Sequence, residues 1–177
     1  VMPPKEIIKD CKTVLQTIPA DKVVGPYGSR LDMAKYVIRK QIMPTLERNK
    51  IGIINYTGQG FVQAELTDDY CALYWMMTKR MGINQAPGGG SDYAEGLKTA
   101  LDLFKSEPPS QHQKVILLFT DGGFTGDQAN LTKVLNDIRQ EGIKIIVVGV
   151  GASSPVPIPK YSSDGQVTGY VEQEGKV

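Results

Sequence analysis

Three side chains with hard oxygen atoms stand at points in the sequence where a metal ion could bind. Asp121 follows an apolar run and precedes two glycines, while Ser91 and Asp92 follow the triglycine Gly88–Gly90. Carboxylate and hydroxyl oxygens in a partly filled coordination shell suit Mg²⁺, Mn²⁺ or Ca²⁺ rather than zinc or copper. Because ligands of open parallel sheets bind beyond the carboxyl ends of the strands, we expect the three side chains to meet at one such edge.

Each of these residues also has an ordinary structural interpretation. Ser91 is a common helix N-cap residue, Asp92 suits the first turn of a helix, and Asp121 suits a turn. The glycine run alone would fit a phosphate-binding loop, but neither GxxxxGK[ST] nor GxGxxG occurs in a strand-loop-helix context.

The elements that would position these residues follow from hydrophobic periodicity. Val115–Phe119 is uniformly apolar and Ile143–Val150 is apolar apart from Lys144, which is typical of parallel strands buried on both faces. Amphipathic helices are predicted at Asp92–Phe104 and between Leu131 and Ile138. Strands alternating with helices predict an α/β fold, an open and mostly parallel sheet with helices on both faces.

An antiparallel edge strand is also predicted, because Ile51–Tyr56 and Phe61–Leu66 are joined by a glycine-containing turn. Further helices are expected at Pro3–Ile18, Leu31–Ile42 and Asp69–Met81. The last of these has a Met- and aromatic-rich face that we interpret as core, formed by Tyr70, Tyr74, Trp75, Met77 and Met81.

The length of 177 residues predicts a single domain, residues 1–177, with an atypical helix and loop over 1–28. Residues 152–177 are Pro- and Gly-rich, and we expect them to be an extension with a hairpin near Asp164–Gly165. Because the chain opens at Val1 rather than Met, we expect a processed or excised piece.

Composition excludes several classes of protein. Lys and Arg number 20 against 19 Asp and Glu, so no basic excess supports nucleic-acid binding. Cys11 and Cys71 are the only cysteines and are predicted to be buried free thiols. His112 is the only histidine and lies at the start of its strand, away from Asp121. With no nucleophile, base and orienting group in evidence, we expect no catalysis.

Two motifs in order give the chain a family resemblance. Lys114-Val-Ile-Leu-Leu-Phe-Thr-Asp-Gly-Gly123, preceded by Gly89-Gly-Ser-Asp-Tyr-Ala-Glu-Gly-Leu97, resembles the von Willebrand factor type A (vWA) domain, more narrowly the Bat aerotolerance type. Supporting stretches begin at Ser29-Arg-Leu-Asp-Met-Ala-Lys35 and continue through Ile51–Thr67 and Val147–Gly151. The resemblance covers the chain from about Ser29 to the end.

The resemblance implies a Rossmann-like fold and a metal-ion-dependent adhesion site (MIDAS), in which three loops hold one cation, Mg²⁺ or Mn²⁺ before Ca²⁺. Carried over by position, its ligands are Asp121, Ser91 and Asp92. The first motif of the family, Asp-x-Ser-x-Ser, is not found upstream of Ser29. Either it aligns with Gln16–Ala20 and has lost its oxygen ligands, or its strand is missing from this chain. In both cases the site is incomplete, and we expect weak cation binding.

The function implied is that of a protein-interaction module. An acidic side chain of a partner would bind at the carboxyl-end edge, flanked by the loops Phe124–Asp127 and Asn84–Gly90. Bat-type parents resemble membrane-anchored bacterial proteins that occur with a MoxR-type AAA+ ATPase. Two alternatives stay open, namely a metal-free assembly scaffold and a metal-assisted hydrolase using Asp121 and Asp92.

Overall fold

The structure is a computed structural model that describes residues 29–46, 49–83, 85–151, 157, 159–161 and 167–170. The predicted helix Pro3–Ile18, the segment Gln16–Ala20 and the turn at Asp164–Gly165 lie outside these residues. The proposed boundaries at 1–28 and 152–177 therefore stay predictions.

The first half of the described chain is built on a β-hairpin. Strand β1, Ile51–Tyr56, and strand β2, Gly60–Thr67, pair antiparallel across the turn that begins at Thr57. Ile51 and Ile53 of β1 point into a hydrophobic cluster, whereas Gly52 between them faces the other side. This alternation is the period of two that a strand requires, and it confirms the predicted hairpin.

Two helical segments cover one face of this hairpin. Helix α1, Arg30–Val37, continues as a π-helical turn, Ile38–Ile42, and a 3₁₀ turn, Met43–Thr45. Helix α2, Tyr70–Lys79, begins at the N-cap Asp69. The core that they form with β2 consists of buried Met43, Ala64, Tyr70, Leu73, Tyr74, Met77 and Met81. The predicted core face of α2 is confirmed apart from Trp75, which is 43% exposed beneath the guanidinium of Arg80.

The second half of the chain is a parallel α/β unit. Strands β3, Val115–Thr120, and β4, Lys144–Gly149, pair parallel and in register, joined by helix α4, Gln128–Gln140. Helix α3, Tyr93–Ser106, packs with α4 on one face of these strands. Their core consists of Ala94, Leu97, Leu101, Leu131, Val134, Ile138 and Ile143. These elements confirm the predicted α/β class.

Helix α3 connects the two halves because it also packs on the hairpin. A Cβ at Gly60 of β2 would lie 2.6 Å from the carbonyl oxygen of Glu95. A Cβ at Gly96 would lie 3.0 Å from the ring of Tyr56. The phenol of Tyr56 donates a hydrogen bond of 2.9 Å to the carbonyl of Phe119, the last but one residue of β3. Strands β1 and β3 thus end at the same edge of the molecule.

The prediction that the parallel strands are buried on both faces is wrong for the described residues. Helices α3 and α4 contact the face that carries Ile116 and Ile145. On the other side Val115, Leu117 and Ile146 are 39%, 37% and 52% exposed. An apolar run indicates a strand, but it does not say whether a second layer covers it.

The prediction of two free thiols is also wrong. Cys71, at the start of α2, is disulfide-bonded. Its local sequence reads as an ordinary core position, because periodicity reports the face on which a residue lies and not the approach of a distant segment. Cys11 lies outside the described residues.

The tail contains a short antiparallel pair, β5, Pro159–Tyr161, with β6, Val167–Tyr170. This pairing agrees with the hairpin expected in the extension. Among the described residues, none of the helices has the length and apolar character needed to cross a membrane.

Candidate functional site

Three loops are hydrogen-bonded to one another at the edge where β1 and β3 end. The hydroxyl of Thr57, after β1, donates to the carbonyl of Pro87 (2.9 Å), and the carbonyl of Thr57 accepts from the amide of Asp92 (2.7 Å). Ser91 and Thr125 exchange two further bonds: the Ser91 amide donates to the Thr125 hydroxyl (2.7 Å), and the Thr125 amide donates to the Ser91 carbonyl (3.2 Å). We call this surface, formed by residues 57–59, 87–92 and 121–127, the loop edge.

Aromatic packing holds the loop after β3 against the core. Phe124 contacts Tyr93, the first residue of α3, with ring centroids 4.4 Å apart and planes inclined by 34°. Both side chains pack against the core of the α/β unit. The loop edge therefore rests on the core, and its backbone is held in place before any ligand binds.

Asp92 serves as the N-cap of α3, its carboxylate accepting from the amide of Ala94 at 2.9 Å. The structure thus assigns the cap to Asp92 rather than to Ser91, the residue that the sequence favoured. The Asp92 carboxylate also lies directly over Gly126, where a side chain would collide with it. Close contact with the loop after β3 explains why glycine occupies position 126.

Asp121 forms an ion pair that the sequence did not indicate. Its Oδ2 accepts from Nη1 of Arg30 at 2.6 Å, and its Oδ1 accepts from the amide of Gly123 at 3.3 Å. Gly122, between Asp121 and Gly123 in the chain, adopts a φ of +93°, a left-handed conformation that favours glycine. Burial alone would raise the pKa of Asp121, but the hydrogen bond and charge of Arg30, together with the Gly123 amide, outweigh it and lower the pKa.

The first turn of α1 positions Arg30. The hydroxyl of Ser29 accepts from the amide of Asp32 at 3.1 Å, and the Asp32 carboxylate accepts from the amide of Ser29 at 3.2 Å, which is a capping box. The same carboxylate pairs at 2.9 Å with buried Lys35, whose ammonium also donates to the carbonyl of Met81. Arg30 therefore projects from a well-fixed helix end.

The phenol of Tyr56 lies beside this ion pair, beneath the loop edge. Its pKa is raised, chiefly by burial and in smaller part by the negative charge of Asp121, although a hydrogen bond with Thr120 opposes the shift. Tyr56 is therefore a neutral donor that joins the ends of β1 and β3 at any physiological pH.

A divalent cation does not fit the residues as they are arranged. Arg30 engages the Asp121 carboxylate, and the Asp92 carboxylate caps α3. Over the described residues, no group of three or more His, Cys, Asp and Glu side chains could hold a metal ion. The structure brings Ser91, Asp92 and Asp121 to one edge, as expected, but the ligand role of these residues stays a prediction.

Sequence reasoning missed Arg30 and Thr125. Arg30 is 91 residues from Asp121 in the chain, and no periodicity links the two positions. Thr125 lies within the predicted flanking loop, but its hydroxyl bond to Ser91 depends on how two loops meet. A basic residue directly after the N-cap of α1, where the helix dipole disfavours positive charge, was the available signal for Arg30.

Curated relatives of the chain include collagen alpha-1(VI) chains from two vertebrates. The Xenopus laevis protein is 26% identical over 110 residues, which is 61% of this chain and 10% of the relative. The Gallus gallus protein is 21% identical over 128 residues, 72% of this chain and 12% of the relative. The chain thus spans only about a tenth of the length of these relatives.

Solved structures with a similar fold come from Bacteroides. BatB of Bacteroides thetaiotaomicron, described as a conserved hypothetical protein, has a TM-score of 0.66 at 24% identity, with 82% of this chain and 71% of BatB covered. An aerotolerance-related membrane protein of Bacteroides fragilis NCTC 9343, carrying multiple mutations to serine, also has a TM-score of 0.66 at 24% identity, covering 86% and 75%. At the level of fold, these neighbours agree with the resemblance to Bat-type domains.

The model of the von Willebrand factor type A domain matches residues 29–174, which is most of the chain and includes the loop edge. The protein therefore belongs to the von Willebrand factor type A domain family, a family of protein-interaction modules.

Proposed function

We propose that the chain binds another protein through the loop edge, by receiving an acidic side chain of that partner. The observation that carries the proposal is the ion pair of Arg30 and Asp121, whose side chains are 49% and 37% exposed. Arg30 is the first residue of α1, and Asp121 lies in a loop edge already held together by hydrogen bonds. A pre-positioned, accessible charge lowers the entropic cost of recognition.

The shape of the loop edge supports binding of a protein segment. An open groove of about 340 Å³ lies between the turn after β1 and the triglycine loop, lined by Thr57, Gly58, Gln59, Pro87, Gly88 and Gly89. Glycine backbone in such a wall allows a bound chain to approach closely. Hydrogen bonds among the three loops connect the wall of the groove to the loop that carries Asp121.

The hydrolase alternative has little support from the structure. His112 lies before the first residue of β3, at the opposite end of that strand from Asp121. A general base must come within hydrogen-bonding distance of the reacting group, directly or through one water. Binding without catalysis is therefore the function we propose.

We also propose the kind of parent protein and of partner. One of the similar structures is described as an aerotolerance-related membrane protein. We propose that this domain likewise belongs to a membrane-anchored bacterial protein and that its partner is another Bat-type protein or a MoxR-type ATPase. The near balance of charge argues against nucleic acid as the partner.

Site-specific photo-crosslinking in the native cell tests the proposal. Exposed Gln59, in the loop edge, and exposed Gln128, the first residue of α4 directly after it, are replaced one at a time by p-benzoylphenylalanine. Exposed Gln111 and Gln113, at the other end of the molecule, are the matched controls. We expect a discrete crosslinked protein from positions 59 and 128 and none from positions 111 and 113. Equal crosslinking from both ends, or crosslinking only from the controls, would contradict the proposal.

A further inference from the structure

We propose that the guanidinium of Arg30 takes the place of the divalent cation and is the group that a partner's carboxylate contacts. This inference rests on the proposed function and specifies its chemistry. The inference starts from the observation that the oxygen atoms at this edge do not fit a metal ion over the described residues. Arg30 already provides the positive charge beside Asp121.

The hydrogen-bonding capacity of Arg30 is only partly used. A guanidinium has five N–H donors in a planar fork, and here Nη1 donates to Oδ2 of Asp121. Within the described part of the chain, Nε and Nη2 make no hydrogen bond, and the side chain is 49% exposed. One edge of the fork therefore remains available for a bidentate bond to a carboxylate, the geometry that Arg favours.

Asp121 is a positioning residue in this arrangement. Held by the Gly123 amide, its carboxylate directs Arg30 over the loop edge and fixes one of its long side-chain rotamers. A cation bound to Asp121 would have to displace Arg30 first, and the two positive charges would then repel each other. The ion pair thus favours recognition of carboxylates without metal.

Titration of the full 177-residue chain with two capped peptides tests the inference. The probes are acetyl-Gly-Glu-Gly-amide and its Gln counterpart, followed by NMR of the Arg30 Nε–H and the amides of residues 121–126. Each titration is run in EDTA and again with added Mg²⁺. The variants are Arg30→Gln, the conservative Arg30→Lys, and Arg139→Gln as a control on an exposed arginine at the far end of α4.

We expect the Glu peptide to shift these signals in EDTA and the Gln peptide not to. Arg30→Gln should weaken binding about tenfold or more, the size of one charge-assisted interaction, while Arg30→Lys keeps part of it and Arg139→Gln all of it. Binding of the Glu peptide only when Mg²⁺ is present would overturn the inference and leave the proposed function standing. Failure of the Glu peptide to bind better than the Gln peptide under both conditions would contradict both.

Discussion

The two strand pairs of this domain differ in how they are covered. The β1–β2 hairpin has α1 and α2 on one face and α3 on the other, and Val62, at 41%, is the one large apolar side chain of these two strands that is exposed. The β3–β4 pair is covered by α3 and α4 on one face, while Leu117 and Ile146 on the other are partly exposed. The more apolar strands are thus the less enclosed, which shows that composition indicates a strand and not its neighbours.

The largest difference in the free energy of unfolding should appear between truncation of a buried leucine, Leu73, and of a partly exposed one, Leu117. Leu73 of α2 is fully buried, at 0% exposure, so Leu73→Ala should lower the free energy of unfolding by about 3–4 kcal/mol through lost burial and a residual cavity. Leu117→Ala should cost about 1 kcal/mol, because its side chain is already partly in water. Urea denaturation measures both. Equal losses of stability would show that the Leu117 side chain is enclosed as completely as that of Leu73.

Glycines in the two strand pairs offer a second test. A Cβ at Gly60 of β2 would press on the Thr99 hydroxyl and the Glu95 carbonyl of α3, so Gly60→Ala should destabilise the fold by about 2 kcal/mol. At Gly149 of β4 nothing lies within 4 Å, so Gly149→Ala should change the free energy of unfolding by less than about 0.5 kcal/mol. Thermal and urea unfolding of the two variants measures this difference in stability. A neutral Gly60→Ala would mean that α3 does not pack on the hairpin as described.

The partly buried ion pair of Asp32 and Lys35 in α1 should make the stability of the fold sensitive to acid. Burial would raise the pKa of Asp32, but bonds to Lys35 and Ser29 outweigh it and hold the pKa below its ordinary value. A lowered folded-state pKa means that the stabilisation is complete above the unfolded-state pKa of about 3.9 and is lost as pH falls through the folded-state pKa. Asp32→Asn should therefore cost about 1–2 kcal/mol at pH 7, since it leaves Lys35 without a counter-charge.

That cost should shrink below about pH 4, which urea titrations at several pH values would show. The surface pair of Lys105 and Glu141 in the other half, with side chains 49% and 44% exposed, is the matched control. Glu141→Gln should change the free energy of unfolding by less than about 0.5 kcal/mol at neutral pH. A cost for Asp32→Asn that stayed constant from pH 7 to pH 2 would contradict the role assigned to the Asp32 charge.

A small effect on folding is also expected from the ion pair between α1 and the loop edge. Arg30 and Asp121 are both partly exposed, so Arg30→Gln should lower the free energy of unfolding by less than about 1 kcal/mol. Denaturation in low and high salt measures the loss and its screening. A loss of several kcal/mol would instead make the ion pair a structural element that joins the two halves.

Elements set by local periodicity could be predicted from the sequence. The strand at Ile51–Tyr56 has the predicted bounds, and the predicted helix Asp92–Phe104 is the observed Tyr93–Ser106. The edge that carries Ser91, Asp92 and Asp121 was also predictable, because parallel strands bring their carboxyl ends together.

Contacts between distant segments could not be predicted in this way. The bond from Arg30 to Asp121, the disulfide of Cys71 and the exposure of Leu117 each depend on how whole elements approach one another. Single-sequence periodicity identifies the face of an element but carries no information on which element meets it. The edge that carries the three candidate residues was therefore predictable, whereas the ion pair of Arg30 and Asp121 was missed.

Charge reversal at the loop edge gives the most direct measure of whether it is the partner-binding surface. The yield of crosslinks from p-benzoylphenylalanine at position 59 is compared between the otherwise unchanged chain, Arg30→Glu and the control Arg139→Glu. We expect Arg30→Glu to abolish the crosslinked product while the chain remains folded, and Arg139→Glu to leave the yield unchanged. An undiminished yield with Arg30→Glu would contradict carboxylate recognition at this edge.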